Sequence, residues 1–134
     1  MATFTGTSSN DVITYTSLSP GVTAVPAGSM PSAGADTING LGGDDQLNGG
    51  GGNDTVHGGD GNDAVLADIR DNGGVIDVTS SAYGDGGNDT VHVTYSGDGP
   101  WGGGAPRGSL LLDGGAGNDD LGIFCGIDVF GVDT

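Results

Sequence analysis

Aliphatic residues recur along the middle of this chain at intervals of nine, which is neither the period of a helix nor the simple alternation of an isolated strand. Ile38, Leu47, Val56 and Val65 each stand two places after an aspartate, in the sequence order Asp36, Asp45, Asp54 and Asp63. Around them the chain reads GLGGDDQLN, GGGGNDTVH and GGDGNDAVL over residues 40–66. Three residues after each Asp suit a short strand whose middle side chain points inward, and the glycines before it suit a tight turn. A unit this short cannot bury its aliphatic residue alone. Repetition at a fixed period therefore predicts an all-β parallel solenoid in which stacked coils share one core.

The frame recurs beyond the central block. GTSSNDVIT (6–14), PSAGADTIN (31–39), GDGGNDTVH (84–92) and GGAGNDDLG (114–122) bring the total to seven copies. Asp is sixth in all of them, adding Asp11, Asp89 and Asp119, and the eighth position is always Val, Ile or Leu. The longer spacings around Asp11, Asp89 and Asp119 predict wider coils over residues 1–30 and 67–122, flanking a regular block at 31–66 and followed by a tail at 123–134. Strand-like segments AVLADI (64–69), GVIDVTS (74–80), TVHVTYS (90–96) and SLLLD (109–113) fit those coils. One turn edge is expected to carry Asp45, Asp63, Asp89 and Asp119. The other is expected to carry Asp11, Asp36 and Asp54 and to continue near Asp71 and Asp98. All 134 residues fit one domain.

Charge changes the picture. The 18 acidic residues are all Asp, and only Arg70 and Arg107 oppose them, for a net charge of −16. Such a chain repels itself when compact and lacks the basic contacts that nucleic acid or an anionic membrane needs. With 31 glycines to order as well, the composition without a counter-ion is that of a disordered chain. No segment approaches the ~20 apolar residues of a membrane span, and Met1 to Asn10 lacks the features of a signal peptide. Cys125 is the single cysteine, so it has no intrachain disulfide partner, and its expected role is a small buried apolar residue.

The same aspartates supply the remedy. Glycine turns aim carbonyl oxygens inward and a short carboxylate completes an oxygen-only cage, the donor set of Ca²⁺. The repeats resemble the RTX (repeats-in-toxin) nonapeptide family, whose pattern is GGxGxDxUx with U a large aliphatic residue. That resemblance implies a parallel β-roll in which two nonapeptides make one coil and Ca²⁺ sits between turns stacked on the same edge. It implies one ion between Asp36 and Asp54 and another between Asp45 and Asp63, with Asp89 shared with Asp63 and with Asp119, and Asp11 in a degenerate opening copy. Turn carbonyls implied beside them come from Gly40, Gly43, Gly49, Gly50, Gly52, Gly58, Gly59, Gly61, Gly84, Gly87, Gly114 and Gly117.

Other chemistry is sparse. His57 and His92 occupy the ninth, outward position of their repeats, where a solvated or stacking histidine is expected. There is no HExxH, CxxC or nucleophile elbow, and aromatics are too few for a sugar cleft, so enzymatic activity is not expected. The loop 97–108 holds Trp101 and Arg107 and is expected to cover a strand face or meet a partner. With the first copy at Gly6 no N-terminal cap is expected, and open solenoid ends predict self-association. The leading expectation is a calcium-binding extracellular or cell-surface structural protein, exported by type I secretion as the resemblance implies. The alternative is a calcium-dependent folding module of a larger secreted enzyme or adhesin, with a calcium buffer or sensor behind both.

Overall fold

The computed structural model describes residues 1–71, 77–97 and 107–125. Its strands are β1 (Ala2–Thr5), β2 (Val12–Ile13), β3 (Thr23–Val25), β4 (Asp36–Gly42), β5 (Gln46–Asn48), β6 (Thr55–Asp60), β7 (Ala64–Asp71), β8 (Asp77–Gly86), β9 (Thr90–Gly97), β10 (Arg107–Asp113) and β11 (Asp120–Cys125). They form two sheets, ordered β10-β8-β6-β4-β1-β3 and β11-β9-β7-β5-β2. Successive strands alternate between the sheets from β4 onward, and every neighbouring pair in either sheet is parallel except β1 with β3. This is a parallel β-roll, the form of solenoid that the resemblance of the repeats implies.

Register makes the core. Phe4, Ile38, Val56, Ala82 and Leu112 align across the first sheet, and Ile13, Leu47, Val65, Val91 and Leu121 across the second. The two columns face each other, and from Phe4 to Ala82 and from Ile13 to Val91 their side chains are buried. A second row, Ala67 and Val93, adds width where β7 and β9 lengthen. Burial of each Val, Leu or Ile contributes about 1.5–3 kcal/mol, and no repeat could realise it alone.

Two expectations are corrected at the N-terminal end. The segment after β2 is not a wide coil. It doubles back, and β3 runs antiparallel to β1 with Thr3 opposite Val25 and Thr5 opposite Thr23. Leu18, Val22 and Ala24 from this reversal pack against the core. The end expected to lack a cap therefore has one, closed by a strand of opposite direction and by Pro26, which has no N–H to offer a further strand.

Candidate metal centre

Each turn from the first sheet to the second begins with a glycine and ends at the sixth-position aspartate. Asp11, Asp45, Asp63, Asp89 and Asp119 stack there in one file. The Asp11 N–H donates to Asp45 Oδ1 (2.7 Å), Asp45 N–H to Asp63 Oδ1 (2.7 Å), Asp63 N–H to Asp89 Oδ1 (2.8 Å) and Asp89 N–H to Asp119 Oδ1 (3.0 Å). Asp11 thus belongs to this edge and not to the opposite one, because the doubling-back after β2 inserts a change of direction that spacing alone does not reveal. The stacking expected for Asp63 with Asp89 and for Asp89 with Asp119 is present.

The opposite edge is shorter. Ala2 N–H donates to Asp36 Oδ1 (2.8 Å) and Asp36 N–H to Asp54 Oδ1 (2.9 Å). The next coil presents Ser80 instead of an aspartate. Its Oγ accepts from Asp54 N–H (3.1 Å) and donates to the Gly52 carbonyl (3.1 Å). Asp71 closes β7 and Ser80 takes the position facing Asp54, while the turn after Asp71 and the Asp98 turn lie outside the described residues.

Aspartate at position six uses only one oxygen in this ladder. The other, Oδ2, has no hydrogen-bond partner at Asp45, Asp63 and Asp89, although these residues are only 3 %, 2 % and 2 % exposed. A buried carboxylate oxygen left without a partner is costly, and groups of this kind call for an ion or another donor. The surroundings supply oxygens only. A Cβ built on Gly40 would strike both Asp45 Oδ2 and the Gly58 carbonyl of the next coil. Gly58 stands in the same relation to Asp63 Oδ2 and the Gly84 carbonyl, and Gly84 to Asp89 Oδ2 and the Gly114 carbonyl. Carboxylate and carbonyl oxygens from consecutive coils therefore converge, and only glycine leaves the space. Gly114 and Gly49 lie in the same way against Asp119 and Asp54 Oδ2.

The remaining glycines shape the turns. Gly43, Gly52, Gly61, Gly87 and Gly117 at position four, and Gly50 and Gly59 at position two, have positive φ. At Gly61 φ is +140°, where a side chain would also collide with the Gly43 carbonyl.

Burial pushes the Asp63 carboxyl up to about 6, opposed by the N–H of Asp45 and reinforced by the charges of Asp45 and Asp89. Asp45 and Asp89 are raised for the same first reason. A cation beside them would reverse that penalty. Among the described residues no three His, Cys, Asp or Glu side chains gather to hold an ion, so a cation here would draw mainly on backbone carbonyls. That donor set fits Ca²⁺ and not zinc.

The fifth-position side chain forms a second ladder that the sequence showed only as a preference for Asn. Asn10 Oδ1 accepts from Asp44 N–H, Asp44 Oδ1 from Asn62 N–H, Asn62 Oδ1 from Asn88 N–H and Asn88 Oδ1 from Asn118 N–H, at 2.8–2.9 Å. Position five thus reaches the following coil and position six the preceding one, so each pair staples its turn to both neighbours. His57 and His92 lie on different sheets, as neighbours of Tyr83 and Leu66 respectively. The His57 ring stacks on Tyr83 at 4.4 Å and meets Asp85 at 3.1 Å. The loop with Trp101 and the side chains of Arg107 and Cys125 lie outside what is described.

A family model of the RTX calcium-binding nonapeptide repeat matches residues 32–65 and 81–93, in four copies. No curated protein and no solved structure matches the chain. The match spans the turns of Asp36, Asp45, Asp54, Asp63 and Asp89, while the Asp11 and Asp119 turns join the file of Asp45, Asp63 and Asp89 through their geometry. The chain carries RTX calcium-binding nonapeptide repeats, folded as a parallel β-roll.

Proposed function

We propose that this protein folds around a file of Ca²⁺ ions outside the cell and acts there as a self-associating structural component, without catalysis. The observation that carries the calcium reading is the row of buried, unpartnered Oδ2 atoms at Asp45, Asp63 and Asp89. In this reading ions lie between the Asp45 and Asp63 turns, the Asp63 and Asp89 turns, and the Asp89 and Asp119 turns. The glycine carbonyls of the following coil complete each set. Neutralising this row offsets the self-repulsion of a chain with net charge −16. Export by type I secretion follows the habit of proteins that carry such repeats.

Self-association is supported at one end only. Leu121 and Ile123 continue the two inward rows, yet they are 49 % and 61 % exposed, and no strand lies beyond β10 or β11 among the described residues. The other end is closed by β3. Association through one open end gives closed pairs, whereas fibres need two complementary ends. The same open coil favours a second reading, in which a further coil of a larger secreted protein continues the roll there.

Calcium added to metal-free protein, followed by circular dichroism and light scattering together, tests both. Gain of β structure with doubling of mass, reversed by chelator and by Ile123→Asp, supports the proposal. A β-rich monomer at all concentrations favours the second reading, and unchanged circular dichroism refutes the calcium reading itself.

A further inference from the structure

We propose that the first turn on each edge takes no calcium, because a hydroxyl residue at its second position donates to the carboxylate oxygen that a cation would coordinate in later turns. The proposal rests on the calcium reading above and concerns which of the repeats take part in it.

In the Gly6–Asp11 turn, Asp11 Oδ2 accepts from the Thr7 N–H (2.6 Å) and from Thr7 Oγ1 (2.9 Å). Thr7 Oγ1 in turn accepts from the Ser9 N–H (3.1 Å). The Pro31–Asp36 turn repeats the arrangement on the other edge. Asp36 Oδ2 accepts from Ser32 N–H (3.0 Å) and from Ser32 Oγ (3.4 Å), and Ser32 Oγ accepts from Gly34 N–H (3.3 Å). Two turns far apart in sequence and on opposite edges thus share one small network.

The later turns differ at the same position. Leu41, Gly59 and Asp85 stand second in the turns of Asp45, Asp63 and Asp89, with φ of +83°, +111° and +72°. Thr7 and Ser32 are not among the residues with positive φ. A β-branched Thr is poorly suited to the left-handed region, so its peptide keeps the orientation that offers N–H to the carboxylate. In these three turns the φ is positive and the corresponding Oδ2, at Asp45, Asp63 and Asp89, is buried without a partner. Position two thus separates Asp11 and Asp36, already satisfied by donors, from Asp45, Asp63 and Asp89, left for an ion.

A cation at Asp11 or Asp36 would have to displace two donors from Oδ2, even at Asp11, where the Gly40 carbonyl of the next coil converges as the corresponding carbonyls do in later turns. Because Ca²⁺ needs six to eight oxygens, losing one carboxylate to internal hydrogen bonds weakens such a site. The calcium file on the long edge then begins at the Asp45 turn. The first coil, closed by β3 outside and by its own hydroxyls within, is a metal-independent start onto which the calcium-bound coils stack.

Native mass spectrometry of the full chain at saturating Ca²⁺ counts the ions. Asp11→Asn and Asp36→Asn are expected to keep the wild-type count, while Asp45→Asn, Asp63→Asn and Asp89→Asn each lose at least one ion. Loss of an ion from Asp11→Asn to the same extent as from Asp45→Asn overturns the proposal. Should Asp11→Asn not become β-rich with calcium, Thr7→Gly decides: one additional ion supports the proposal and an unchanged count overturns it. A wild-type chain that binds no ion refutes the underlying calcium reading, a different result from ions held at Asp11.

Discussion

Removing calcium should reverse the usual response of an acidic protein to pH. Asp63 is 2 % exposed, and burial raises its carboxyl from 3.8 to about 6 in the roll without metal. Between those values the folded chain binds more protons at this site than the unfolded chain does. Stability rises with pH only where the unfolded state binds the excess, so here it falls as pH climbs from about 4 to about 6. A shift of about two units corresponds to about 3 kcal/mol lost by neutral pH, taken as an upper limit because the turn lies near solvent. Asp45 and Asp89 push in the same direction. Chelator-treated protein is therefore expected to show more β structure and a higher melting temperature at pH 4.5 than at pH 7.5. With calcium bound the order inverts, since protons below about pH 6 compete for the same oxygens. Thermal melts by circular dichroism across this range, with and without Ca²⁺, make the comparison. Asp63→Asn isolates the site from general charge repulsion: it should flatten the metal-free pH dependence and lower calcium affinity. Metal-free stability that rises through pH 4–6, or an Asp63→Asn profile identical to wild type, would refute the reasoning.

The other expectations concern packing and backbone. Leu47→Ala, at a side chain 1 % exposed, should cost about 2–5 kcal/mol in urea unfolding of the calcium form. Gly61→Ala places a side chain at φ +140° against the Gly43 carbonyl, and should raise the calcium concentration needed for folding in circular dichroism titrations. Ser80→Ala strips the partner from the buried Asp54 N–H and should cost about 1–3 kcal/mol in the same unfolding assay. Tyr83→Ala removes the ring stacked on His57 and should cost about 1 kcal/mol while leaving calcium affinity, measured by calorimetry, unchanged.

The fold was legible because its signal is local and repeated. One aliphatic residue two places after each aspartate predicted the inward columns, and Ile38, Leu47, Val56 and Val65 occupy them. Aspartate at position six likewise announced the turn files, including Asp89 and Asp119 beyond the regular block. Spacing did not reveal which edge holds Asp11. Edge assignment depends on how often the chain crosses between sheets, and residues 14–35 reverse instead of completing a coil. The same reversal supplied the cap, since antiparallel pairing of Thr23–Val25 with β1 depends on a long-range contact that a nine-residue window does not contain. Ser80 in the aspartate file, the fifth-position ladder and the hydroxyl caps of Thr7 and Ser32 were equally hidden, because each is a hydrogen bond to another coil or a matter of one backbone dihedral. Sequence by itself thus determined the repeating unit, its inward residue and its oxygen chemistry, all set within nine residues. Tertiary structure alone decided which carboxylates are stacked, buried and left without a partner, because partnership is settled between coils.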